Sequence, residues 1–193
     1  MGRDEAAALH ALFEAGTRYA KILRHTQLDF QLPDDVSAFV VVERLKGNAT
    51  TDFGAPDLAP ASDARPIHDA DLHRLQAILK ACWRALDDAS EDAQGKTLRT
   101  GPRGGGRTID GIFEHVQGSA LSYLASLGGK VKAAESSQEE TRQAILETLV
   151  ASAHGEIAEY GPRGGKRWLP RYFVRRMAWH TLDHVWEIED RAT

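Results

Sequence analysis

Residues 170–190, PRYFVRRMAWHTLDHVWEIED, decide the reading of this chain. Val174, Ala178, Leu182 and Val185 recur at spacings of three and four, the period of a helix with one buried side. The helix opens after Pro170 and runs to about Asp190. His180 and His184 stand at i and i+4, so they project from one face about 6 Å apart along the axis. Phe173, Met177 and Ile188 share that face and place both imidazoles on the shoulder of the apolar stripe.

Three further segments upstream show the same period. Residues 69–91 carry Leu72, Leu75, Leu79, Cys82 and Leu86, and residues 108–128 carry Ile109, Ile112, Phe113, Val116, Ala120, Leu124 and Leu127. Residues 137–154 carry Ile145 and Leu149 behind two overlapping capping signatures, Ser136 to Glu139 and Ser137 to Glu140, and stop near Gly155. Four such helices predict a mainly α fold, an up-down-up-down four-helix bundle over residues 69–191. Residues 4–25 read as another amphipathic helix, and Val36–Val42 as a lone strand from its β-branched and aromatic run. Together they make an N-terminal helix-plus-strand appendage, residues 1–50. Gly, Pro, Asn, Asp and Ser punctuate Gly47 to Pro66, so a linker is expected over 51–68.

The chain has 193 residues with 24 Lys plus Arg, 28 Asp plus Glu and one cysteine, Cys82. That length suits a single domain with an appendage and a real core. One cysteine excludes an internal disulfide and fits a reducing compartment. The N-terminus has no apolar signal core and no stretch approaches a membrane span, so a cytoplasmic protein without membrane contact is expected. The net charge of −4 is unevenly spread. Residues 94–109 and 160–182 contain no acid and carry +10 between them, leaving −14 on the rest. An acidic remainder without interleaved aromatic platforms argues against nucleic acid.

The two basic segments contain a repeat, Gly101-Pro-Arg-Gly-Gly105 and Gly161-Pro-Arg-Gly-Gly165, each ahead of a helix. In an up-down-up-down bundle those two helices run parallel, so both loops are expected around one mouth. Gly-rich turns leading into a helix expose backbone N–H groups to anions. Arg103, Arg107, Arg163 and Arg167 are therefore the candidate binders of a small anionic molecule, since a guanidinium matches a carboxylate bidentately.

Five histidines, His10, His25, His68, His73 and His154, are scattered and read as surface or packing residues. His115 differs. It sits on the second bundle helix, on a side holding the small residues Gly111, Gly118, Ser119 and Ser122. Facing bundle helices are where such folds build metal sites, and an i, i+4 pair with a third imidazole can hold one ion. The parallel topology offsets His115 from His180 by ~5 Å and from His184 by ~10 Å, which a tilt or a longer loop would have to absorb.

A histidine on the second helix and H-x-x-x-H on the fourth, with the long stretch Gly161–Arg191, resemble the DinB/YfiT-like superfamily of metal-dependent bundle proteins. The resemblance covers residues 69–191. It implies a divalent metal, zinc or nickel, on His115, His180 and His184 with open positions. It also implies a transferase or isomerase using bacillithiol or mycothiol, or a hydrolase. Residues 1–50 resemble the second half of a HicB-like α/β module. Glu187, one turn after His184, is expected to orient an imidazole, act as a base or be a fourth ligand, and Asp183 is a second candidate near the site. Trp179 and Trp186, seven apart, are expected to pack against the appendage or a partner subunit. The competing expectation is a non-catalytic, metal-stabilised binding or homodimerisation module that uses the basic loops to recruit an acidic surface.

Overall fold

In a computed structural model, residues 2–101, 106–131 and 136–193 are described. The protein is mainly helical: α1 (Glu5–Leu23), α2 (Ala49–Asp52), α3 (Asp69–Asp92), α4 (Ile109–Leu127), α5 (Gln138–Ala153) and α6 (Pro170–Arg191), with 3-10 turns at Val36–Ala38 and Ala61–Ala64. The helix boundaries follow local chemistry. The Thr108 side chain accepts from Gly111 N–H to open α4, and Gly128, at φ +116°, closes it in a left-handed conformation that favours glycine. Of the two overlapping signatures before α5, the second forms: Ser137 and Glu140 make a reciprocal capping box. Pro170 occupies the first turn of α6, where its missing N–H costs nothing.

α3 packs on α6, α6 on α4, α4 on α5, and α5 on α3. The directions follow from the hydrogen bonds between them. Arg171 on α6 reaches Asp71 on α3, so those two N-termini adjoin and the helices run parallel. Trp168 N–H donates to Ser126 O at the C-terminal end of α4, while Arg191 at the far end of α6 donates to Arg107 O. α4 and α6 are therefore antiparallel. Arg142 near the start of α5 pairs bidentately with Asp87 near the end of α3, making those two antiparallel as well.

This order departs from the expected up-down-up-down course, in which α4 and α6 would be parallel. The chain length between α4 and α5 permits the difference. Residues 128–137 reach about 35 Å when extended, beyond the ~28 Å length of a helix of 19 residues. A return along the length of the helices is thus possible there, and no periodicity in the helices themselves encodes it.

The expected strand is also absent. Asp35 accepts a hydrogen bond from Ser37 N–H and turns Val36–Ala38 into a 3-10 turn. Beyond it Val40 and Val42 are 81% and 89% exposed with no strand alongside. Among the described residues only isolated bridges occur, Leu98 with Ala192 and Tyr160 with Lys166. α1 packs on α3, and Arg18 pairs with Glu189 and Asp190 of α6. The segment expected as a linker is tied along α6: Tyr172 Oη donates to Pro56 O, Arg176 donates to the same carbonyl, and Arg175 pairs with the buried Asp63.

Two apolar clusters fill the interior. One gathers Leu79, Leu124, Ile145, Leu149 and Phe173, and the other Cys82, Leu86, Ile112, Val185 and Ile188. Phe173 is fully buried at the centre of the first. Phe173→Ala should lower unfolding stability in urea by about 3–5 kcal/mol, because both the transfer energy and the cavity count against it.

Candidate metal centre

His115 lies six residues after the start of α4, about 9 Å along its axis, and His184 seven before the end of α6, about 10 Å. Because the helices are antiparallel, those two distances are measured from the same end. The offset expected of a parallel pair disappears and the three imidazoles meet. One ligand nitrogen from each of His115, His180 and His184 lies within 4.8 Å of the others. The Nε2 atoms of His180 and His115 are 3.1 Å apart. Two Zn–N bonds of about 2.0–2.1 Å at a tetrahedral angle subtend about 3.3 Å, so the His115–His180 pair is spaced for one divalent ion, and the set of three could hold one.

His180 and His184 are buried and His115 is half-buried. Burial, with the neighbouring imidazoles and the Arg176 and Arg107 charges, pushes His180 down to about 3. His115 is lowered too, first by burial and then by Arg107 and His184. Both rings are neutral at pH 7, the state a metal requires. A histidine held below its unfolded value of 6.5 adds stability above that pH and loses it as pH falls towards 3. The metal-free protein should therefore show a melting temperature that declines steadily from pH 6.5 to 4, with a shallower decline in His180→Leu. Thermal scans over that range measure it.

Glu187 Oε2 lies 2.8 Å from His184 Nδ1, and its Oε1 accepts from Arg191. Burial acts to raise the Glu187 carboxyl, but the hydrogen bonds and charges of His184 and Arg191 outweigh it and hold it below the usual value. Both Glu187 oxygens are thereby engaged, one by an imidazole and one by a guanidinium. The bond fixes His184 with Nδ1 protonated and Nε2 directed at the cluster. Arg191 is only 4% exposed and also donates to the carbonyls of Arg99 and Arg107. Sequence reasoning missed Arg191, although its i, i+4 spacing from Glu187 was the available signal.

A cleft of about 1190 Å³ opens over the histidines, with Arg107, Trp179, Asp183 and Trp186 among its walls. The expected arginines divide. Arg107 faces this cleft, and Arg103 lies outside the described residues. Arg163 and Arg167 belong to the opposite end. The turn Gly161–Gly165 closes on itself through Gly161 N–H to Gly165 O, and Arg167 donates to Gly128 O at the C-terminus of α4. The second repeat thus lies away from the histidine cleft, at the end where α6 begins, while of the first repeat only Gly101 is among the described residues. The small residues beside His115 are not required for clearance throughout: a Cβ at Gly118 would meet nothing within 4 Å.

The expectation for the two tryptophans is met at Trp186, over which Arg18 of α1 lies at 5.0 Å. Arg176 covers Trp179 at 5.3 Å from the same helix. Tyr123 on α4 sets its ring edge-on to His180 at 5.7 Å and was not anticipated from sequence. No described helix is long and apolar enough to cross a membrane.

No family model, no curated protein and no solved structure matches the chain.

Proposed function

We propose that this chain is a divalent-metal-dependent enzyme of the DinB-like kind, its four long helices forming a bundle and acting on a small anionic substrate. The observation that carries the reading is the convergence of three ligand nitrogens within 4.8 Å on two different helices. His115, His180 and His184 would hold the ion, zinc or nickel. When bound by these three imidazoles, a divalent ion would lower the pKa of a thiol or water, chemistry that suits thiol-dependent transfer with bacillithiol or mycothiol, or hydrolysis. The chain supplies the rest. Glu187 keeps a proton on His184 Nδ1, Arg191 keeps Glu187 in place, and the cleft beside Arg107 admits an anion to the histidines.

Metal uptake tests the proposal. Untagged protein dialysed against zinc or nickel should retain close to one ion per chain, read by elemental analysis. A chain that takes up neither ion refutes the reading. For the thiol branch, bacillithiol or mycothiol should raise the melting temperature of metal-loaded protein and leave the metal-free form unchanged. Equal protection of both forms removes that branch.

A further inference from the structure

The charges lining the cleft are mostly satisfied within the protein. Arg18 is bonded to Glu189 and Asp190, Arg99 to the Asp190 carbonyl, and Arg191 to Glu187 and two carbonyls. Among its acids Asp183 makes no hydrogen bond or ion pair among the described residues, and among its cations Arg107 is the exception. Its carbonyl accepts from Arg191, but its guanidinium makes no hydrogen bond or ion pair among the described residues. It stands immediately before Thr108, the N-cap of α4, where the helix dipole adds partial positive charge. Its charge reaches His115 and His180.

The same cleft is walled by two indoles. Trp179 and Trp186 are seven residues apart on α6, so they lie on one side of the helix with about 10 Å between them along the axis. Each has a guanidinium over its ring, Arg176 on Trp179 and Arg18 on Trp186. Those cations are themselves anchored, Arg176 to Pro56 O and Arg18 to two carboxylates. The indoles are therefore fixed in orientation before any ligand arrives, so a ring stacking on them orders little.

We propose that the cleft binds an aromatic carboxylate, its carboxylate on the Arg107 guanidinium and its ring along the Trp179–Trp186 wall. A pocket with two indoles on one side and one uncommitted cation favours that combination over either half alone. The assignment deepens the reading of the same site, but it rests on the cleft's own side chains and does not require the ion.

Calorimetric titration of the full chain with phenylacetate tests it, in zinc-loaded and metal-free samples whose zinc content is measured in parallel. Phenylacetate should bind saturably. Its uncharged counterpart phenylacetamide should bind about 10–100-fold more weakly, the worth of one charge-assisted contact. Cyclohexylacetate should bind about 3–10-fold more weakly, the worth of one aromatic pairing. Arg107→Ala should reproduce the loss seen with phenylacetamide, while Arg163→Ala, at the other end of the molecule, should bind as the unaltered chain does. The Arg107 side chain has no hydrogen-bond or ion-pair partner among the described residues, so the fold should survive its removal, which circular dichroism checks. The proposal is overturned by no saturation up to ~10 mM, by equal binding of acid and amide, or by unaltered binding in Arg107→Ala. Phenylacetate binding in a chain that takes up neither zinc nor nickel would leave this proposal standing and remove the metal reading. Zinc uptake without phenylacetate binding would do the reverse.

Discussion

His180→Ala should weaken divalent-metal affinity by more than about 100-fold, the upper range seen when only a supporting partner of a ligand is removed. His180 is the central member of the cluster. Its Nε2 is 3.1 Å from that of His115, and its ring lies 4.8 Å from that of His184 and 5.0 Å from that of His115. Its removal leaves two donors on different helices, without the i, i+4 pair that one rigid helix provides. The fold should survive, because the ring is neutral and no backbone group depends on it for a hydrogen bond. Competition titration against a zinc chelator measures the affinity, and circular dichroism checks the helices. Retention of unaltered affinity with intact helices would mean that the three nitrogens do not act together on an ion.

Arg191→Met is expected to damage both stability and metal binding. The guanidinium is 4% exposed and satisfies three acceptors: the Glu187 carboxylate and the carbonyls of Arg99 and Arg107. Methionine fills similar volume but pairs with none of them. Removing one partner of a buried ion pair costs about 3–5 kcal/mol, because the carboxylate that remains has lost its compensation. Glu187 is partly open to solvent, which places the expected value at the lower end of that range. Glu187 then loses the contact that holds its carboxylate against His184, and metal affinity should fall about 10–100-fold. Urea unfolding of the metal-free form and chelator competition of the loaded form separate the two effects. A purely structural role for Arg191 would lower the urea midpoint and leave affinity unchanged.

The helices and the histidines were legible in the sequence for a common reason: both are local. The stripes on α3, α4 and α6, the capping box at Ser137 and Glu140, and the pairing of His180 with His184 depend on spacings within a few residues. The direction of α4 relative to α6 is not local. It shows in contacts between residues far apart in sequence, Trp168 with Ser126 and Arg191 with Arg107, and a connection as long as 128–137 permits either course. Every expectation built on that direction inherited its uncertainty, so Arg163 and Arg167 were placed beside histidines that lie towards the other end of α6. The strand at Val36–Val42 failed differently. β-Propensity expresses fit to a neighbouring strand, and here Asp35 captures the first residues into a turn instead. Arg191 was invisible as a site residue because its partners include two backbone carbonyls far away in sequence, at Arg99 and Arg107.

The repeated pentapeptide, separated by the antiparallel course of α4 and α6, gives the molecule a built-in control. One copy begins at Gly101, on the rim of the histidine cleft, and the other forms a self-contained turn at the far end beside Glu159 and Lys166. The two share the sequence Gly-Pro-Arg-Gly-Gly, and the helices that follow them, α4 and α6, start at opposite ends of the molecule. A property that belongs to the peptide itself, such as weak anion affinity of its glycine N–H groups, must show at both. A property that belongs to the place must show at one. Exchanging residues between the two copies therefore asks, within a single chain, whether location or composition gives a basic loop its use.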